Sequence, residues 1–210
     1  YIPLNYLKHI TDSNTTNIQI ILITHKDADH IKCICSHILN SNHKPIIYCP
    51  FSMKEQLEGF ITYFFRMTNS SDYEIFSNHC SIIGINPNDK IIYEPNRSSK
   101  WEIISYECFH GYTQCLAYGI SRITRGIKEE YKGLTSEEIV RLRKNSIDIN
   151  EERFCPLLFY ATDTTIDIFG NIEIFKYPNI MCECTLIYSK QPLGKKKHIH
   201  WNQLQNIVKE

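Results

Sequence analysis

The most constraining stretch of this chain is Ile18–His30, which reads I-Q-I-I-L-I-T-H-K-D-A-D-H. Its first six residues are aliphatic and β-branched with one interruption, the pattern of a buried strand. The apolar run stops at Thr24, and four metal-capable side chains follow within six residues: His25, Asp27, Asp29 and His30. Carboxylates and imidazoles crowded at a strand end repel or lose hydration unless a cation offsets the cost. A solvated turn is the other reading of such a cluster. The strand before it and the apolar helix after it (Ile31, Ile34, Ile38, Leu39) favour the cation, because α/β folds place their sites beyond the carboxyl ends of buried strands.

Four further polar groups sit at ends of, or inside, apolar segments. A strand over Trp101–Phe109 delivers His110, and Gln114–Ser121 resumes the sheet after H-G-Y-T. The apolar strand Pro156–Thr162 ends in A-T-D-T-T and presents Asp163. Glu183 is an isolated charge within M-C-E-C-T-L-I, read as a strand over Ile180–Ser189, where a carboxylate needs a partner. Finally, K-K-K-H-I-H-W-N-Q opens a helix and carries His198, His200 and Gln203. The three lysines before it, Lys195–Lys197, suit a phosphate-rich partner or are simply solvated.

The elements between these groups alternate as an α/β layer structure requires. A short helix near the start (Leu4, Leu7, Ile10) precedes the Ile18 strand, and a helix runs from His30 to about Asn40. A buried strand follows over Pro45–Cys49, then a helix over Met53–Met67 with Ser52 as N-cap and Glu55 three residues on. Short strands then alternate with turns: Tyr73–Phe76, Cys80–Ile85 and Ile91–Glu94. Residues 122–153 are the most polar stretch and read as a helical excursion, capped by Thr135, with Glu137 and Glu138 early and Arg141, Arg143 and Lys144 late, as the helix dipole favours.

T-H-K-D-A-D-H resembles the T-H-x-H-x-D-H signature of the metallo-β-lactamase fold hydrolases, and the later motifs resemble the ribonuclease Z branch and its phosphodiesterase-like relatives. The resemblance covers about residues 18–210 through five motifs in order: THKDADH, the His110 strand, ATDTT, ECT and HIHWNQ. Departures are Asp27 in the place of the second His, Thr162 for a Gly, and His200 for a Thr. The long tRNA-gripping arm of ribonuclease Z proper has no counterpart in 122–153. The resemblance implies an αβ/βα sandwich of the metallo-β-lactamase type, incomplete at both ends, forming one metallo-hydrolase domain over 1–210. The start at Tyr1 rather than Met fits a piece of something longer.

The site the resemblance implies is metal-dependent. His25, Asp27 and His110 would hold one ion; Asp29 and His30, with a family His absent from this sequence, a second; Asp163 would bridge them. Zinc, one or two ions, is the implied metal, with manganese as the other candidate. Asp29 would also orient or deprotonate the attacking water, and Glu183 would pair with His198 so that its imidazole gives a proton to the leaving 3′ oxygen. The implied activity is a zinc-dependent phosphodiester hydrolase, foremost an endonuclease trimming precursor tRNA 3′ ends. The alternatives are a phosphodiesterase or esterase acting on a small substrate and a non-catalytic relative. Precursor tRNA or another phosphodiester is thus the implied partner, and a homodimer is left open.

Composition narrows the setting. Lys+Arg and Asp+Glu both number 23, so the net charge is zero, which argues against a free-standing nucleic-acid binder working by bulk electrostatics and leaves a local basic patch open. No apolar run approaches the roughly 18 residues that span a membrane, which argues against a membrane partner. Nine cysteines, an odd number and mostly within apolar patterns, suggest reduced thiols in an intracellular, reducing compartment: cytoplasm, nucleus or an organelle.

Overall fold

The computed structural model describes residues 18–68, 79–111, 113–187 and 198–209. The expected helix around Leu4–Ile10, the strand Tyr73–Phe76 and the lysines 195–197 lie outside the described residues.

Two sheets form the centre of the fold. The first has three parallel strands in the order β1 (Ile20–Leu22), β2 (Ile46–Pro50) and β3 (Ser81–Ile85). Parallel neighbours need crossover connections. The chain between β1 and β2 holds helices α1 (Ala28–Ile31) and α2 (Ile34–Leu39); between β2 and β3 it holds α3 (Lys54–Thr68). The single helix expected from His30 to Asn40 is therefore two short ones, broken around Lys32 and Cys33. Likewise Ser52 is no N-cap, since a 3-10 turn over Phe51–Met53 leads into α3. Ile34, Ile38, Leu57, Ile61 and Phe65 of α2 and α3 pack on Ile23, Ile47, Cys49 and Ile82 of the sheet.

The second sheet has five strands in the order β4 (Lys90–Asn96), β5 (Ser99–His110), β6 (Thr113–Ile127), β7 (Asn150–Tyr160) and β8 (Asn179–Met181). The first four are antiparallel and β8 joins β7 in parallel. Period-2 alternation gives β5 and β6 two buried faces. Ile103, Leu116 and Tyr118 meet Leu22 and Tyr48 of the first sheet, whereas Tyr106, Cys108, Cys115 and Ala117 pack under two 3-10 turns, Ile166–Gly170 and Ile172–Lys176. The order of layers, helices, sheet, sheet and short helical turns, is that of an αβ/βα sandwich.

β6 is longer than expected. It continues through Arg122–Ile127, paired with Asn150–Cys155 of β7, so the excursion is a sheet extension with a small helical tip. The tip contains α4 (Ser136–Lys144), whose N-terminus is a capping box: Thr135 Oγ1 accepts from Glu138 N–H, and the Glu138 carboxylate accepts from Thr135 N–H. Arg153 closes the base by donating to the Ile127 carbonyl at 2.6 Å. A Cβ on Gly126 would lie 2.8 Å from the Arg153 guanidinium carbon, so a larger residue there would displace that side chain. A last helix, α5 (Trp201–Lys209), ends the described chain.

Two hydrogen bonds join the sheets where β1 ends. Leu116 N–H donates to the Thr24 carbonyl at 2.9 Å, and the buried Tyr118 hydroxyl donates to the Ile23 carbonyl at 2.6 Å. They fix the loop after β1 against the end of the β5–β6 hairpin.

Candidate metal centre

His25 lies three residues beyond the end of β1 and is fully buried, with 0% of its surface exposed. Its Nδ1 lies 3.1 Å from Thr24 Oγ1 and 3.8 Å from Cys115 Sγ. Its Nε2 is buried with no hydrogen-bond partner among the described residues, which is costly for a polar nitrogen. Burial, with His30 and His110 alongside, lowers its pKa below the usual imidazole value against the opposing pull of Asp27 and Asp163, so the ring is a neutral donor.

Two other motifs, and the rest of its own, converge on that nitrogen. His110 ends β5, and Gly111 at φ 64° takes the left-handed conformation needed to begin the tight turn into β6. The His25 and His110 rings lie 4.9 Å apart, and His25 and His30 4.1 Å apart. Asp27 Oδ2 is 3.3 Å from His110 Nε2 and 3.6 Å from His25 Nε2. Asp163, in the loop after β7, places Oδ2 3.4 Å from His30 Nε2. Three overlapping sets have ligand atoms within 4.8 Å of one another: His25, Asp27 and His110; His25, His30 and Asp163; His110, Asp163 and His198.

Asp27 occupies the N-cap position of α1 yet makes no capping hydrogen bond. An Asp there normally accepts from the first turn. Its carboxylate turns to the imidazoles instead. An orphaned imidazole nitrogen, carboxylates facing it and further histidines within ligand reach form a donor set that fits a divalent cation.

The expected acid pair is present in another setting. β8 ends at Met181, so Glu183 lies in irregular chain beyond the strand rather than inside it. Its side chain is nonetheless only 9% exposed. Oε1 lies 2.9 Å from His198 Nδ1 and accepts from Thr164 N–H at 2.8 Å. Oε2 accepts from Thr185 N–H at 3.2 Å and from the Thr185 hydroxyl. This carboxylate therefore ties His198 to the backbone next to Asp163. The His198 ring lies 4.8 Å from that of His110, at the rim of the cluster.

Two residues depart from expectation. Asp29 is in the first turn of α1, but its side chain is 68% exposed, and it touches the cluster only through a 3.4 Å contact with His30. It belongs to none of the three ligand sets. His200 is buried at the start of α5, where Asn202 N–H donates to its Nδ1 at 3.2 Å and its own N–H donates to Gln203 at 3.3 Å. His200 thus caps the helix start through its side chain, while Gln203 accepts from its backbone N–H. The spacing H-x-x-Q at the helix start was the available signal.

A cavity of about 470 Å³, lined by Arg97, Lys100, Arg122 and Arg125 among others, lies at the opposite ends of β5 and β6. A smaller one of about 190 Å³ borders the cluster at Asp29, His30, Cys33, His37 and Tyr160.

No protein-family model matches the chain. It is similar to tRNase Z TRZ1 of Arabidopsis thaliana, with 23% identity over 196 residues, 89% of this chain and 66% of that protein. Among solved structures, unliganded yeast PDE1 matches with a TM-score of 0.55 at 14% identity, over 98% of this chain and 58% of that one. Zn(2+)-bound PqqB from Methylobacterium extorquens matches more weakly, at a TM-score of 0.45 and 12% identity over 87% and 54%. The chain thus spans less than two thirds of the length of each relative. With the sandwich and the converging motifs, the likeness to yeast PDE1 identifies the metallo-β-lactamase fold, and in sequence the chain is similar to a tRNase Z.

Proposed function

We propose that this chain carries the catalytic groups of a metal-dependent phosphodiester hydrolase, a ribonuclease Z-like endonuclease acting at the 3′ ends of precursor tRNA. The observation that carries this reading is the Glu183–His198 pair set beside His110 at the cluster. A ribose 3′ oxygen is a poor leaving group and needs a proton, and an imidazole held by a buried carboxylate supplies one. The similarity to the Arabidopsis tRNase Z supports the nucleic-acid substrate.

His25, Asp27, His30, His110 and Asp163 would hold the metal, zinc by the family likeness, with manganese as the other candidate. Bound there, a divalent cation supplies charge to offset the non-bridging phosphoryl oxygens and a nucleophile active near neutral pH. Glu183 holds His198 Nδ1, which leaves Nε2 to hand its proton to the departing oxygen, while the carboxylate compensates the imidazolium charge. Thr164 N–H on the same carboxylate keeps the Asp163 loop in register with the acid. Asp29, exposed beside His30, is the group in reach to orient an incoming water.

The test measures metal content together with cleavage of precursor tRNA and of a chromogenic phosphodiester. Metal-dependent cut of the precursor at its 3′ trailer supports the reading. Cleavage of the small diester alone would move the substrate to a small phosphodiester. Loaded protein inert on both would overturn hydrolysis.

Among the described residues, no helix is long and apolar enough to cross a membrane. A homodimer is part of the proposal as an open arrangement, tested by light scattering.

A further inference from the structure

The donor geometry points to Asp27 as a metal-selectivity residue: it lowers this centre's preference for zinc over manganese relative to a histidine at the same position. The inference rests on the metal-centre reading above and adds to it which ion the native donor set discriminates against.

Asp27 stands where the resembling signature has its second imidazole. Its Oδ2 is 3.3 Å and 3.6 Å from two imidazole Nε2 atoms, one of them the orphaned nitrogen of His25. Those three atoms form the first of the three ligand sets. The carboxylate is thus directed to the cation position, and the helix start it occupies goes without its side-chain cap. Giving up a cap costs about 1 kcal/mol, so the local backbone is not what sets this orientation.

The donor set at this position is two nitrogens and one anionic oxygen, where the signature supplies nitrogen from all three. Imidazole favours the later, softer divalent ions, zinc among them; carboxylate oxygen suits manganese and magnesium. Zinc remains the tighter binder in absolute terms at most mixed sites. The effect of Asp27 is therefore on the ratio of the two affinities. Its negative charge strengthens both ions by a common electrostatic contribution that cancels in that ratio, leaving donor type to decide it.

The test uses the 210-residue chain and three variants, Asp27→His, Asp27→Glu and His110→Ala. Zinc and manganese are titrated separately: zinc by competition with a chromophoric chelator, manganese by loss of the free-ion paramagnetic resonance signal. Circular dichroism confirms that each variant is folded. Asp27→His should raise the zinc-to-manganese affinity ratio about tenfold or more, equivalent to about 1.4 kcal/mol. Asp27→Glu, which keeps the oxygen donor, should leave the ratio within about threefold of the native value. An unchanged ratio in Asp27→His, with zinc affinity still lost in His110→Ala, would overturn this inference and leave the metal centre standing. Zinc affinity unaffected by His110→Ala, or no binding of either ion to the native chain, would overturn both.

Discussion

His198→Ala separates an acid from a metal ligand. The residue lies 2.9 Å from Glu183 Oε1 and shares a ligand set with His110 and Asp163, so both roles are in reach. For a general acid, its removal should slow precursor tRNA cleavage by about 10²–10⁴-fold. At 1.36 kcal/mol per factor of ten, that is about 3–5 kcal/mol of transition-state stabilisation. An activated aryl diester, whose leaving group departs without a proton, should be cleaved at nearly the native rate. The folding cost is smaller: Glu183 keeps three of its four donors, and the bond lost is part-exposed, so about 1.5 kcal/mol is expected, near the low end for bonds to charged groups. Glu183→Gln behaves differently. Its amide would present N–H to donors that need an acceptor, loosening Thr164 beside Asp163, so both substrates should slow. The assay is single-turnover cleavage of both substrates by the complete protein, with metal content measured in parallel. Equal losses on the two substrates in His198→Ala, with lowered metal content, would refute the acid role and make His198 a ligand.

Atomic absorption on the metal-loaded, dialysed chain should give fewer than two zinc per molecule, because the oxygen donor of Asp27 replaces an imidazole and Asp29 lies outside the ligand sets; two tightly held equivalents would contradict this. Stability of the metal-free chain should fall as pH drops below about 6.5, the unfolded imidazole value. His25 has a lowered pKa in the folded state, so the unfolded chain takes up the proton first; the loss runs from the unfolded value down through the folded one. Denaturant midpoints across that range for native chain and His25→Gln check it, the variant showing the shallower slope. Gly119→Ala should destabilise by about 1–3 kcal/mol, the usual cost of overpacking. A Cβ there would sit 2.1 Å from the hydroxyl oxygen of buried Tyr177, and thermal unfolding at the native midpoint would show the placement to be wrong.

The loops of the candidate metal centre were legible in the sequence because two signals coincide: an apolar run ends, and ligand-type residues begin. His25, His110 and Asp163 all satisfy that rule, and the structure brings them together. Less legible features are those decided by tertiary partners. Glu183 reads as an intruder in a strand, but the strand stops two residues earlier, and the carboxylate is satisfied by donors from three separate segments. Arg122–Ile127 reads R-I-T-R-G-I, where Arg125 shares a strand face with Ile123 and Ile127, so it lacks clean alternation and its charge suggests a solvated helix; pairing with Asn150–Cys155 makes it a strand. Asp29 and Asp27 are two residues apart and look alike on paper. A single turn of helix sends one to solvent and leaves the other at the imidazoles.

Leu116 N–H and Tyr118 Oη reach Thr24 and Ile23 only once the two sheets have met. The histidines and aspartates of the cluster come from four widely separated stretches, so no local hairpin or helix formed early in folding can hold a complete ligand set. During synthesis the five ligands are incomplete until residue 163 has emerged, and the acid at residue 198 comes later still. A cation that binds only the assembled set acts on the docking equilibrium by mass action, holding the sheets together in proportion to its free concentration. Metal supply in the cell would then control how much of this chain survives as folded protein, apart from any effect on turnover.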